Sequence, residues 1–137
     1  MNLSAITTIF GEPTTILGLS AVVVFVLALL VSSSLVFLVH RYTVLTYVKQ
    51  EDATPFYWLS GINIALFLLW MLVTTLVPMS FYIVLFVGWI PHVIGYLLYQ
   101  RENERHVRKI KSSDMRNAFF ITAIIFTMVA MMFVSTR

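Results

Sequence analysis

The 137-residue sequence contains no cysteine. This absence excludes disulfides, thiolate metal sites, iron–sulfur clusters and a cysteine nucleophile. Charge is also scarce, because Asp, Glu, Lys and Arg make up 11% of the residues, against about 25% in a soluble domain. Hydrophobic residues make up 60%. The composition therefore predicts a membrane protein rather than a soluble one.

Long apolar runs are what the sequence does have. Each of four runs approaches the roughly 20 residues that a helix needs to cross a bilayer. They predict an all-α integral membrane protein, a four-transmembrane-helix bundle that forms one domain over residues 1–137. The predicted spans are about 15–39, 56–77, 80–100 and 117–136. Pro78, Met79 and Ser80 alone link the second span to the third, so a tight antiparallel hairpin should place Asn63 near Ile94.

Positive charge collects in the first and third connections. Arg41 and Lys49 lie in or near the first, and the third carries six basic residues: Arg101, Arg105, Arg108, Lys109, Lys111 and Arg116. The positive-inside rule places these loops on the cytoplasmic or matrix side and both termini on the non-cytoplasmic side. The expected location is a prokaryotic cell membrane or an organellar inner membrane. His40, Arg41, Tyr42 and Tyr47 are expected to form an interfacial belt at the end of the first span.

Polar side chains at membrane depth are the candidate functional residues. Counting along each span places one set at a similar level in the cytoplasmic half: Ser32, Ser33, Ser34, Asn63, His92 and Thr122. Such a layer suits a proton path, a quinone headgroup or a metal. The alternative is an internal hydrogen-bond network, which the absence of any acidic or basic side chain at this depth favours. His92 is then expected to be neutral and paired with Asn63 or a serine of residues 32–34.

Cofactor binding by this chain alone is not expected. A bis-histidine haem needs two imidazoles at one depth, whereas His40 is predicted at the interface and His92 roughly 12 Å deeper. The sequence contains no phosphate-binding loop, nucleophile–base pair, carboxylate pair or HExxH motif. We therefore predict no catalytic, cofactor-binding or metal site, and expect any enzymatic role to belong to a larger complex.

The basic loop 101–116 has two interpretations. Its charges suit anionic lipid or an acidic partner, or they only set the topology. Glu104 and Arg108 are spaced for a helical ion pair if the third span continues past the membrane. The net charge of +3 arises in this loop and does not indicate nucleic-acid binding.

These observations favour one function over two others. The first hypothesis is an accessory or structural subunit of a larger membrane complex, such as a respiratory or other membrane-bound oxidoreductase, with partner subunits on its apolar helix faces. The alternative is a homo-oligomeric channel, transporter or pore-forming protein lined by the polar layer. A weaker third hypothesis is an immunity-type or regulatory protein that binds another membrane protein.

Overall fold

The computed structural model of the chain describes residues 15–16 and 19–135. Thr15–Ile16 (β1) and Leu19–Ser20 (β2) form a two-residue antiparallel pair, and the rest of the regular structure in the described ranges is helical. The predicted side of the termini concerns residues 1–14 and 136–137, which lie outside the described part.

Four helical segments of the described chain are long and apolar enough to cross a membrane. The helices are α1 Ala21–Tyr47, α2 Thr54–Leu76, α3 Phe81–Gly88, α4 Ile90–Asn103 and α5 Ser112–Ser135. A 3₁₀ turn at Gln50–Asp52 joins α1 to α2, and α3 with α4 makes up a single span. The predicted helical class and the presence of four helices of membrane-spanning length are thereby confirmed.

Local sequence explains where the central helices begin and break. Pro55 lies in the first turn of α2, where the missing N–H has no helical partner to lose. Ser80 caps α3, its hydroxyl accepting from the backbone N–H of Ile83 at 3.3 Å. The third span breaks at Trp89, since Pro91 cannot donate a hydrogen bond to the preceding turn.

Helix α1 ends eight residues later than the predicted first span, at Tyr47 instead of Val39. Its 27 residues correspond to about 40 Å, longer than the roughly 30 Å hydrocarbon core. A helix satisfies its backbone hydrogen bonds internally, so it stops at a turn and not where the apolar run stops. Within this extension the Thr43 hydroxyl donates to the Val39 carbonyl at 2.9 Å, so its polar group is paired inside the helix.

The spans form an up-and-down bundle in which α1 and α4 each pack against both α2 and α5. An apolar cluster around Phe67, Phe126 and Phe133 fills the half near the α2–α3 turn. A second one around Phe56 and Phe119 fills the end where α1 meets α2 and α4 meets α5. Both predicted basic connections therefore lie at the same end of the bundle.

Candidate functional site

His40 lies between the helices, inside the bundle. Its side chain is fully buried, at 0% exposure. The imidazole Nδ1 lies 2.8 Å from Ser60 Oγ on α2, and Nε2 lies 2.8 Å from Thr122 Oγ1 on α5. The membrane depth predicted for His40 stays a prediction, but its ring faces the other helices and not the outside of the bundle. The helix carries His40 inward on the same buried face as Val36 and Val44.

Tyr99 brings the remaining span into the same site. Its hydroxyl donates to the Phe56 carbonyl at 2.9 Å and also contacts Ser60 Oγ. The Thr122 hydroxyl donates to the Ala118 carbonyl at 2.8 Å. One buried set of hydrogen bonds thus joins all four spans. We call these side chains the His40 cluster: His40, Ser60, Tyr99 and Thr122.

The hydrogens of the His40 cluster have two consistent placements. With the ring proton on Nε2, the imidazole donates to Thr122 and the Ser60 hydroxyl donates to Nδ1. With the proton on Nδ1, both bonds reverse, and the Thr122 hydroxyl then gives up its bond to the Ala118 carbonyl because it has a single proton. Either arrangement keeps the ring neutral and both nitrogens paired. Among the described residues the bonds end at the backbone carbonyls of Phe56 and Ala118. The cluster can therefore move a hydrogen within itself and tie helices together.

Aromatic rings enclose the cluster. The His40 ring centroid lies 4.6 Å from that of Phe119 and 5.5 Å from that of Tyr99. Tyr99 in turn lies 5.1 Å from Phe56, centroid to centroid. Apolar surroundings strengthen each hydrogen bond and raise the cost of leaving one unmade. The cluster is therefore a strong geometric constraint on how the four spans meet.

His92 lies among aromatic rings instead of in a polar layer. Its ring is stacked on Phe126, with centroids 5.4 Å apart, and lies 5.7 Å from Phe67. It is 3% exposed, and Nδ1 is buried without a hydrogen-bond partner. The predicted pairing of His92 with Asn63 or a serine is therefore wrong. Helix rotation in the packed bundle turns the imidazole toward phenyl faces.

Asn63 is also buried without a partner. Neither its Oδ1 nor its Nδ2 has a hydrogen bond, although the residue is 0% exposed. The side chain presses against Gly95, where an added β-carbon would lie 2.6 Å from Oδ1. This contact matches the hairpin register expected from the sequence to within one residue, since Asn63 was predicted near Ile94.

The three consecutive serines point in three directions, because successive helical residues are turned by about 100°. Ser32 is buried and donates to the Leu29 carbonyl at 3.1 Å, and Ser34 is exposed and donates to the Leu30 carbonyl at 2.9 Å. The hydroxyl of Ser33 is buried without a partner. Of the six predicted layer residues, Thr122 alone belongs to the His40 cluster.

The two buried histidines differ in depth. His40 contacts Tyr99, which lies seven residues after His92 on α4, or roughly 10 Å along the helix. Both nitrogens of His40 already face protein hydroxyls at 2.8 Å. The described residues contain no group of three or more His, Cys, Asp or Glu side chains positioned to hold a metal ion.

The basic loop is shaped by Asn103, the last residue of α4. Its side chain donates to the Ile110 carbonyl at 3.0 Å and accepts from the Ile110 N–H at 2.8 Å. The expected Glu104–Arg108 helical pair is wrong, since α4 ends before Glu104. Instead Glu102 lies 3.5 Å from Arg105. All six predicted basic residues are exposed: Arg101, Arg105, Arg108, Lys109, Lys111 and Arg116.

Sequence reasoning missed His40, Ser60 and Tyr99 as partners. A usable signal was present in the spacing, because Val36, His40 and Val44 lie one turn apart on a single face of α1. Ser60 likewise shares a face of α2 with Asn63, which the sequence did single out.

Together the four apolar spans and the polar cluster buried between them define the organisation of a multi-pass membrane protein with a helical-bundle core. No family model matches the chain, and no curated protein or solved structure is significantly similar to it.

Proposed function

We propose that the chain is a small multi-pass membrane protein that acts as an accessory or structural subunit of a larger membrane assembly. The observation that carries the proposal is the outward position of α1. In the most apolar 18 residues of α1, 17% of the residues are buried inside the bundle. The corresponding share for α5 is 44%. Large apolar side chains cover its outer face: Val26, Leu27, Leu30, Val31, Leu35 and Leu38.

A groove beside α1 supports a helix as the neighbour. The groove has a volume of about 470 Å³ and runs between α1 and α2, lined by apolar side chains such as Leu29, Leu68 and Leu72. Ser33 lies in it, and its buried hydroxyl has no partner. Small side chains such as Ser33 and Thr75 in the groove allow a neighbouring helix to approach closely. We therefore infer that a partner span occupies this groove.

The polar chemistry of the chain favours this role over catalysis or a pore. The His40 cluster joins the four spans of one chain from the inside. A channel between copies needs polar side chains on the faces that the copies share. The outer face of α1 is apolar. The class of parent complex, expected to be an oxidoreductase, stays a prediction.

We further propose that the basic end of the bundle faces the cytoplasm or matrix. Arg41, Lys49 and the loop 101–116 share this end, while the opposite turn at residues 77–80 carries no charge. An imbalance of this kind sets orientation through the positive-inside rule.

Purification from the native membrane in mild detergent, followed by mass spectrometry, tests the proposal. Stoichiometric larger membrane subunits are expected to copurify with the unaltered chain. Leu30→Trp and Leu38→Trp enlarge the outer face of α1 and should release them, because a packed helix cannot accommodate the indole. Leu69→Trp and Leu97→Trp, at similarly exposed apolar positions on α2 and α4, serve as matched controls and should retain them. A pure homo-oligomer would instead favour the channel.

A further inference from the structure

A cleft of about 510 Å³ opens at the basic end of the bundle. The α1–α2 connection forms one wall with Lys49 and Asp52, and the loop after α4 forms the other with Arg105 and Arg108. The sequence predicts both connections on one side of the membrane, and the structure brings Lys49 and the loop together in one cleft. We propose that this cleft binds the phosphate-bearing headgroup of an anionic lipid.

The charges of the cleft suit such a headgroup. Three cations, Lys49, Arg105 and Arg108, face one carboxylate, Asp52. All four side chains are exposed. Within the described chain Lys49 and Arg108 form no ion pair. Arg105 lies 3.5 Å from Glu102, and an ion pair with an exposed partner contributes little to stability. The planar guanidinium group of arginine also presents paired N–H donors that match the spacing of phosphate oxygens. The cleft therefore has an excess of positive charge, and two of its cations, Lys49 and Arg108, form no ion pair within the described residues.

The loop that carries two of these cations is held in a fixed shape. Asn103 clamps Ile110 through two hydrogen bonds of 2.8 and 3.0 Å. His106 lies on the cleft wall, 3.3 Å from Glu102 and with its ring centroid 5.0 Å from that of Phe56. Binding to a wall that is already ordered has a smaller entropic cost than ordering a flexible basic segment.

The position and the apolar lining favour a lipid over an acidic protein. The last residues of α1 and α4 are Tyr47 and Asn103, so the cleft lies where the spans end, at the level of headgroups. Val48 and Val107 line it beside the cations, and Val107 is fully exposed. A lipid presents phosphate next to an apolar glycerol and acyl region, which matches this pairing. The inference rests on the proposed membrane placement and on no partner subunit.

Lipid retention by the purified full-length chain tests the site. The chain in mild detergent is offered equal amounts of phosphatidylglycerol and phosphatidylcholine, and native mass spectrometry counts what stays bound. The unaltered chain should prefer phosphatidylglycerol. The triple variant K49Q/R105Q/R108Q should bind it more weakly, by about tenfold or more, since each basic residue near a membrane surface attracts anionic lipid. The triple variant R101Q/K111Q/R116Q removes the same charge outside the cleft and should retain the preference.

Several results would overturn the proposal. Equal losses in both triple variants mean that net charge alone attracts the lipid. Displacement by millimolar inorganic phosphate identifies a free phosphate site, and displacement by polyglutamate but not by glycerol phosphate identifies an acidic-protein site. If circular dichroism shows that the cleft triple variant is unfolded, Arg105→Gln and Arg108→Gln are each compared with Arg116→Gln. Because no partner is present, failure here leaves the accessory-subunit proposal standing.

Discussion

The Asn63 side-chain oxygen lies 2.6 Å from the point that a β-carbon on Gly95 would occupy. From α5, Phe119 Cε1 approaches the same point to 2.9 Å. Helices α2, α4 and α5 therefore meet at Gly95, where the absence of a side chain permits close packing.

Gly95→Ala should destabilise the bundle for this reason. The added methyl group overlaps buried side chains, and overpacking of a core costs about 1–3 kcal/mol. The matched control is Gly61→Ala, where a β-carbon meets nothing within 4 Å. Alanine there should be neutral or stabilise the helix by up to about 1 kcal/mol. Reversible unfolding in mixed micelles titrated with SDS measures both, and equal effects would contradict the proposed close contact.

His40→Leu should also destabilise the bundle, by about 1–2 kcal/mol for the two interhelical hydrogen bonds that it removes. The same SDS titration measures the loss. Tyr42→Leu is the control, because Tyr42 lies on the same helix and is 78% exposed. If the two variants unfold at the same SDS fraction, the His40 cluster does not stabilise the fold.

His92→Leu should behave differently from His40→Leu. The Nδ1 atom of His92 has no partner to lose, and removing an unpaired buried polar atom is close to neutral or stabilising. We expect a change below about 1 kcal/mol despite the lost stacking on Phe126. The test compares the stability of the two histidine variants in one SDS titration. A larger loss of stability for His92→Leu than for His40→Leu would mean that His92, and not His40, holds the bundle together.

Asn103→Ala should loosen the basic loop. It removes the two hydrogen bonds to Ile110, worth together about 1–3 kcal/mol, so the open loop should become roughly tenfold more populated. Trypsin cleavage after Arg105 or Arg108 in folded protein reports this opening. Asn117→Ala, at an exposed position of α5, should leave the cleavage rate unchanged. Similar rates in both variants would show that the clamp does not hold the loop.

Single cysteines test the proposed orientation cleanly, because the chain has none of its own. Pro78→Cys lies in the exposed α2–α3 turn and Arg108→Cys in the basic loop. A membrane-impermeant maleimide added outside intact cells should label residue 78 alone. Residue 108 should react once the membrane is opened. Labelling of residue 108 in intact cells would refute the orientation.

Some of the fold followed from local sequence. The number of spans follows from apolar runs of bilayer length, since an unpaired backbone is not tolerated in hydrocarbon. The α2–α4 register also followed, because the short link at residues 78–80 leaves the two helices little freedom to slide. That register brings Asn63 to Gly95, one residue from the expected pairing.

The candidate site was predicted less well, and His40 shows why. Its depth was assigned from the end of an apolar run, yet α1 continues to Tyr47. Hydropathy indicates which residues tolerate hydrocarbon. It does not indicate where a helix ends, because the helix satisfies its own backbone hydrogen bonds beyond the apolar run. Counting along the helix also does not show that the ring of His40 turns into the bundle, where it meets Ser60 and Thr122.

By itself, the sequence determined the secondary structure and the charge distribution: four apolar helices, their order, and the basic connections that share one end. Tertiary structure alone decided which polar atoms meet, pairing His40 with Ser60 and Thr122 while leaving His92 against Phe126. The physical reason is that each helix can turn about its own axis with little change in hydropathy. Packing of all four helices fixes that rotation, and a rotation of one residue moves a side chain by about 100°.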